Sequence, residues 1–237
     1  MSTYLWQEKP VTVVMPVHNA EPFIADAIAS LAKVEGIREV ILIDDASSDN
    51  SVSVAAITAN QWGLRLRSAA TTGAGPQGPS ASRNLGVTMI TTPLVWFFDA
   101  DDICELQGVD PRISLVGDRG DVIMGTLRYF EHGAVPLKYS KARNPVSTGL
   151  LFMTVETFRA TGGFNESLRF GEDLDLAARL ERSGSIIYNI EDLIFSYRQY
   201  PLSAVHANPR GRSEGYLKSV HAHLQRSKAA RNETSQP

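Results

Sequence analysis

Asp99, Asp101 and Asp102 fall within four positions, directly after the unbroken apolar run Leu94–Phe98. A short apolar run of this kind reads as a strand buried on both faces. Its acids then sit at the C-terminal end of the strand, the edge where open α/β sheets bind ligands. Three carboxylates so close repel one another unless positive charge lies between them. Clustered carboxylate oxygens suit Mg²⁺ or Mn²⁺, and such ions commonly also hold substrate phosphates. Two more acidic pairs end predicted elements. Asp44-Asp45 closes the run Glu39–Ile43, where one carboxylate could cap the next helix and the other could accept hydrogen bonds from a base N–H or a ribose hydroxyl. Glu172-Asp173 follows Gly171 and opens a helical pattern, where the macrodipole favours negative charge. A carboxylate held beside a reacting centre is also what a general base requires.

Positioning these acids takes a sheet. Val11–Met15, closed by Pro16, reads as the first buried strand, and Glu21–Leu31 as a helix with Asn19 as its N-cap. Glu39–Ile43 is the second strand, Ala46–Asn60 a helix capped by Ser47 or Ser48, and Leu64–Ser68 a third strand. Thr71–Pro79, with three glycines and two prolines, is a flexible loop, followed by a helix over Ser80–Met89 capped by Ser80. Strand and helix alternate up to Asp102, which implies parallel pairing with helices on the faces. Beyond it the pattern predicts a helix over Leu106–Val116 and strands at Asp121–Phe130 and Gly149–Thr154. It also predicts a turn at Glu131-His132-Gly133, with Val135–Tyr139 pairing back. Helices follow at Val155–Ala160 and Glu172–Arg182, then strands at Ser185–Asn189 and Leu193–Tyr197.

With 237 residues, 43% hydrophobic and 21% charged, the chain reads as one globular domain with an appendage. A net charge of −3 argues against a dedicated nucleic-acid binder. Cys104 is the single cysteine, so no internal disulfide forms. The N-terminus has no basic region followed by an apolar core, and no run approaches the ~18 apolar residues of a membrane span, so a cytoplasmic protein is expected. Residues 205–237 differ in character, carrying net charge +4 against −7 for the remainder, with Tyr216, Leu217, Val220 and Leu224 on one helical face. This predicts a C-terminal helix docked on residues 1–204 and followed by a solvated tail. The alternative is a basic amphipathic helix lying on the inner face of an anionic membrane.

Five matches, the last of them in two pieces, resemble in order and spacing the inverting glycosyltransferases of family 2 with the GT-A fold. Val13–Ala20 resembles the family's first strand and its Pro-x-Tyr-Asn turn, with His18 in the Tyr place. Ile43–Asp49 resembles its Asp-Asp-x-Ser-x-Asp, Ser82–Gly86 its Ala-Arg-Asn-x-Gly, and Phe97–Asp102 its metal-binding Asp-x-Asp. Gly162–Glu166 and Glu172–Leu176 resemble its Gly-Gly-Phe-Asp-Glu segment and Glu-Asp pair. The resemblance spans residues 11–203. It implies an α/β GT-A fold, a mixed central sheet with helices on both faces, with a donor half over about 1–102 and an acceptor half over about 103–204.

It also implies transfer of a single sugar from a nucleotide-diphospho-sugar, a UDP-sugar, to a saccharide, lipid-linked or other glycoconjugate hydroxyl. Donor contacts are implied for Pro16, Val17, His18, Asn19, Asp44, Asp45, Arg83, Asp99, Ala100 and Arg198, with Asp45 on the base. Asp101 would ligate Mn²⁺ or Mg²⁺, Asp99 would face the ribose or hold the metal indirectly, and Asp173 would be the base. Arg83 reaches the donor or forms a salt bridge to a strand-end aspartate, and both readings stay open. Ser147 and Thr148 fall where the family places substrate-facing residues. Tyr197–Ser203 departs from the family's Tyr-Arg-x-His-x-x-Ser by placing Tyr200 where histidine stands, so Arg198, Ser203 or His206 would have to compensate. The Gln-x-x-Arg-Trp motif of the processive polymerases is missing. A dehydrogenase is disfavoured because no G-x-G-x-x-G follows the first strand, and Gly73-Ala74-Gly75 follows the third. A nucleotidyltransferase would likewise want a glycine-rich loop at Pro16–Asn19. The remaining alternative is a GT-A-like binding or scaffold subunit without activity. Self-association is left open.

Overall fold

A computed structural model describes residues 10–106, 121–134 and 137–201, together with Ser213 and Leu217. Eight strands form one sheet: β1 (Val11–Val17), β2 (Ile37–Asp44), β3 (Leu66–Ala70), β4 (Leu94–Phe97), β5 (Ile103–Cys104), β6 (Val122–Glu131), β7 (Leu151–Thr154) and β8 (Ile187–Gln199). Their spatial order is β3-β2-β1-β4-β7-β6-β8-β5. The helices are α1 (Ile24–Leu31), α2 (Ser51–Gln61), α3 (Pro79–Thr88), α4 (Val155–Ala160) and α5 (Glu172–Arg182).

Alternation along the strands divides the core into two layers. Val13, Met15, Val40, Leu42, Trp96 and Phe98 point to the face covered by α1 and α2. Val14, Ile41, Ile43, Val95 and Phe97 point to the other, covered by Val87 of α3, Phe158 of α4 and Leu176 and Leu180 of α5. Helix α1 fits its face because Ile24, Ala27, Ile28 and Leu31 recur at helical spacing and are all buried. Trp96 is fully buried, stacks on Phe152 at 4.9 Å, and donates its indole N–H to the Gly149 carbonyl at 2.8 Å. Burying a large apolar side chain of this kind contributes roughly 2–3 kcal/mol, and the polar edge of the ring is satisfied as well.

The register explains why the acids meet. Strands β3, β2, β1 and β4 are parallel, with Val17 opposite Asp44 and Val14 opposite Phe97. The chain after β1, β2 and β4 therefore emerges on one edge. β7 pairs antiparallel to both β4 and β6, and β8 runs parallel to β6. The C-terminal ends of β6 and β8 thus return to the edge that carries Asp99–Asp102. The expected mixed sheet with helices on both faces is what is observed.

Several local expectations are corrected. Asn19 is not the cap of α1, which starts at Ile24 with Phe23 in the cap position. Ser47 and Ser48 do not cap α2, which starts at Ser51. Ser80 lies inside the first turn of α3, with Gly78 at the cap position, and its buried hydroxyl has no hydrogen-bond partner among the described residues. Leu64–Ser68 is shifted to Leu66–Ala70, and the first residues of Gly149–Thr154 form a 3₁₀ turn over Thr148–Leu150. The expected strands Ser185–Asn189 and Leu193–Tyr197 merge into one, β8, which starts at Ile187 and whose pairing with β6 shifts register between Met124 and Leu127. Strand β5 was not anticipated. Tyr139 bridges Phe130 as the return pairing requires, although residues 135–136 lie outside the described residues. So do 107–116 of the expected helix, Ser203, His206, and all of 205–237 except Ser213 and Leu217, which are helical, Leu217 being 65% exposed. Among the described residues no helix is long and apolar enough to cross a membrane.

Gly86 is where α3 approaches the sheet. A Cβ there would fall inside van der Waals contact of Val14 Cγ1 and 3.3 Å from Ile43 Cγ1. Gly86→Ala should therefore destabilise the fold by about 1–3 kcal/mol through overpacking. The measurement is a urea unfolding curve, and an unchanged midpoint would show that the contact relaxes freely.

Candidate active site

The ends of β1 and β2 are stitched into one unit. The Asp45 N–H donates to the Val17 carbonyl at 2.7 Å, and His18 Nδ1 donates to the Asp45 carbonyl at 2.7 Å. That bond fixes the proton on Nδ1 and leaves Nε2 to accept from Asn19 Nδ2 at 3.3 Å. Asn19 Oδ1 accepts from the Ser48 N–H at 2.8 Å, and Asp44 Oδ1 from the Ser47 N–H at 3.2 Å. Both turns hold a non-glycine residue at positive φ, Asn19 at 51° and Ala46 at 59°. For Ala46, which lacks the local hydrogen bonding that helps asparagine there, this is stored strain of about 1 kcal/mol or more.

The Asp45 carboxylate faces the glycine-rich loop. It is 4% exposed and accepts from Thr71 Oγ1 at 2.8 Å and from the Gln77 and Gly78 N–H groups at 2.7 Å each. The residue expected on the nucleoside base is therefore what anchors the 71–78 loop.

A second group forms around β4 and β8. Arg83, on α3, is 3% exposed and reaches Asp99 at 2.7 Å and Glu172 at 3.2 Å. Of the two readings left open for Arg83, the salt bridge to a strand-end aspartate is present. Burial alone would lower its affinity for the proton, but the Asp99 and Glu172 carboxylates reverse this and push it well above the usual arginine range. Burial, followed by the charge of Asp99, pushes Asp101 up to about 6. Asp101 Oδ2 accepts from the Tyr200 hydroxyl at 2.9 Å. Tyr200, in the place of the family's histidine, thus sits on the acid itself, its ring tilted 46° against that of Phe23 at 4.6 Å. Asp102 is buried, accepts from the Arg198 N–H at 2.9 Å, and is likewise pushed up by burial and its acidic neighbours.

Arg198 does not face open space. It is 4% exposed, donates Nε to the Asp101 carbonyl at 2.7 Å, Nη1 to His132 at 3.1 Å and Nη2 to Asp26 at 3.2 Å, and lies 5.0 Å from the Phe23 and Phe130 rings. In this geometry it positions the acidic turn. Among the described residues no three His, Cys, Asp or Glu side chains form a metal-ligating group. The oxygen donors at Asp99 and Asp101 nonetheless fit a hard cation, which characteristically takes one or two carboxylates and completes its shell with phosphates and water. Asp102 is turned away to the Arg198 backbone.

Helix α5 supplies the third group. Asp173 borders a cavity of about 600 Å³ lined also by Tyr129, Ser140, Arg143, Ser147, Glu172 and Tyr197. Its Oδ1 accepts from the Leu174 N–H at 2.8 Å. Burial, and next the charge of Glu172, pushes its carboxyl up to about 6. Neither Asp45 nor Asp101 lines this cavity, but Tyr197 and Gln199 do, and Arg198 between them donates its backbone N–H to Asp102 at 2.9 Å. The cavity therefore abuts the acidic turn, whereas Asp45 lies apart beneath its loop. Of the remaining expected residues, Pro16 pairs with Ile43, Ala100 and Thr148 are buried, and Ser147 reaches the cavity. Glu172 as the partner of Arg83, Tyr200 on Asp101, Thr71 and Gln77 on Asp45, and Arg143 at the cavity were not anticipated. The closeness of Asp99 to Asp101 and an Arg83 bridge to a strand-end aspartate are the links that the sequence makes visible.

The family model described as glycosyl transferase family 2 matches residues 12–167. The chain belongs to this family. Among curated relatives, poly(ribitol-phosphate) beta-N-acetylglucosaminyltransferase TarS of Staphylococcus aureus is 23% identical over 80% of this chain, which spans 32% of that protein. Succinoglycan biosynthesis protein ExoU of Rhizobium meliloti is 28% identical over 74% of this chain, which spans 58% of ExoU. Among solved structures, S. aureus TarS 1–349 in complex with UDP superposes with a TM-score of 0.65 at 19% identity, covering 81% of this chain and 61% of that one. Mannosyltransferase PcManGT from Pyrobaculum calidifontis, in complex with GDP-Man and Mn²⁺, superposes with a TM-score of 0.70 at 17% identity over 94% of this chain and 65% of that one. The fold is the GT-A fold of these family 2 enzymes.

Removing the charge that joins α3, β4 and α5 tests the centre of the site. Arg83→Met should cost about 2 kcal/mol of stability, below the range for breaking a fully buried pair because Asp99 is 44% exposed. Chemical denaturation measures this, and a loss under about 0.5 kcal/mol, the size of an ordinary surface change, would mean the bridge is incidental.

Proposed function

We propose that this chain is an inverting glycosyltransferase that moves a single sugar from a nucleotide-diphospho-sugar, a UDP-sugar, to an acceptor hydroxyl. The observation that carries the reading is Asp173. It is a carboxylate at the wall of a cavity large enough for a saccharide, tied through Glu172 and Arg83 to the acids at the end of β4. TarS bound to UDP and to UDP-GlcNAc, and PcManGT bound to GDP-Man and Mn²⁺, support a nucleotide-sugar donor.

The donor would lie across the ends of β1, β2 and β4, its nucleoside against Pro16–Asn19 and Asp44-Asp45 and its diphosphate toward Asp99–Asp101. Asp101, with Asp99, would hold a Mg²⁺ or Mn²⁺ ion. When bound, that ion would neutralise charge on the departing nucleoside diphosphate. The acceptor hydroxyl would enter from the cavity. Asp173 Oδ1 is occupied by the Leu174 N–H, so Oδ2 takes the hydroxyl proton as the new C–O bond forms. The bond from the anomeric carbon to the diphosphate oxygen breaks in the same displacement, so the sugar inverts. One carboxylate suffices because no covalent sugar–enzyme intermediate has to be resolved. Arg83 keeps the base in register with the donor by holding Glu172, its chain neighbour.

Asp173→Asn should lower kcat by about 10²–10⁴-fold while leaving nucleotide affinity unchanged. Because the base must be unprotonated, wild-type kcat/KM should climb with pH up to about 6 and level off above it. Near wild-type transfer by the variant, or a profile flat between pH 5 and pH 7, would remove Asp173 from the role. Calorimetric titration of UDP provides a separate check. Added Mn²⁺ should tighten UDP binding to the wild type, and this gain should vanish on adding EDTA or in Asp101→Asn. The same gain in the variant would move the cation elsewhere.

A further inference from the structure

The cavity beside Asp173 has a second wall that the proposed chemistry leaves unused. Residues 137–145 cross β6 as a strap. Arg143 and Leu127 exchange backbone hydrogen bonds of 2.7 and 2.8 Å, and the Ser140 N–H donates to the Tyr129 carbonyl at 2.9 Å. The strap carries Lys138, Lys141 and Arg143, and no Asp or Glu occurs from Gly133 to Val155. All three cations are exposed, and among the described residues none has a carboxylate within ion-pair distance. Their neighbour Arg128 makes the contrast plain. It is paired with Glu105 at 2.7 Å and packed on the Tyr139 ring at 3.8 Å. Arg143 itself lines the cavity, 6.0 Å from the Tyr129 ring, and Tyr129 meets Tyr197 edge-on at 5.5 Å along the same lining.

The cavity is therefore bipolar. Glu172 and Asp173 form an acidic side, Arg143 a cationic side, and Tyr129 and Tyr197 an aromatic surface between them. A neutral sugar could use the aromatic surface and Asp173 but would leave the cation without a counter-charge. An anionic group placed beside Asp173 would be repelled, and one placed on Arg143 would be attracted. That polarity orients a substrate carrying both a hydroxyl and a separate negative charge. We propose that the acceptor is a polyhydroxylated compound bearing a phosphate or a carboxylate, seated with its anionic group on Arg143 and its reacting hydroxyl at Asp173. Lys138 and Lys141 add attraction at the mouth, which salt screens. This inference rests on the glycosyltransferase reading above.

The test uses the full chain and ligand-observed NMR, with glucose, glucose 6-phosphate and glucuronate as probes. Glucose 6-phosphate and glucuronate should bind the wild type at least about tenfold more tightly than glucose, the effect of one charge-assisted contact. Arg143→Gln should erase that preference, and Lys141→Gln, at an exposed position, should reduce it even if the first variant folds poorly. Equal affinity for glucose and the anionic probes would overturn the proposal. So would inorganic phosphate binding as tightly as glucose 6-phosphate, because that describes a bare anion site with no place for hydroxyls. Binding of the wild type to phosphatidylglycerol vesicles, without binding of the small anionic probes, would assign the strap to a lipid surface instead and also overturn it. UDP and GDP are titrated in parallel. Failure of the wild type to bind either would remove the glycosyltransferase reading itself, whereas nucleotide binding without anion preference would remove only this inference.

Discussion

A single buried guanidinium holds the centre of this molecule together. Arg83 comes from α3, Asp99 follows β4, and Glu172 opens α5. Those elements are far apart in the chain, and the sheet alone would not set the distance between the acidic turn and the helix that carries Asp173. Two carboxylates facing one buried cation do set it, because moving either away leaves the desolvated guanidinium with half of its counter-charge. Packing reinforces the bridge. The Phe164 ring lies 5.4 Å from the guanidinium, and Asn84, the next residue on α3, exchanges hydrogen bonds with the backbone of Phe164.

The site is held against stability. Asp101 and Asp173 each titrate near 6 rather than at the ordinary 3.8, mainly because both are desolvated. A carboxyl whose folded value is raised contributes stability below its unfolded value and loses that contribution as pH climbs through the folded value. Between about pH 4 and pH 6 the fold therefore gives up stability to keep both groups ionised. That is the direction the cation-binding and base roles proposed for them require, since a relaxed, well-solvated carboxylate offers a less basic oxygen at neutral pH.

The sequence was most legible where one short stretch both forms an element and ends it. Val155–Ala160 and Glu172–Arg182 are legible to the residue, because Thr154 caps the first and Gly162 follows it, while Gly171 and Gly184 bracket the second. The acids after β4 were placed on the correct edge by the strand–helix alternation alone. The misread positions are those where distant chain competes for a local group. Asn19 looks like a cap, but the Ser48 N–H claims its side chain. Residues 190–192 look like a break between two strands, yet β8 continues through them by bulging against β6, taking six residues from Asn189 to Phe195 where β6 takes three from Met124 to Leu127. Tyr200 looks like a loss because the pattern calls for histidine, and only the tertiary structure reveals its hydroxyl on Asp101. The cavity was invisible because its walls come from 127–147, 170–174 and 197–199.

Strand β7 is inserted between β4 and β6, so backbone hydrogen bonds run without interruption from the first hundred residues into the last hundred. Leu94–Phe97, buried at every position, would become a bare apolar edge if β7 were taken away, and such an edge templates aggregation. Neither side of the molecule is thus a self-sufficient module that could be exchanged like a cassette. Evolution or engineering that trades one substrate-binding side for another must carry the β4–β7 seam along with it.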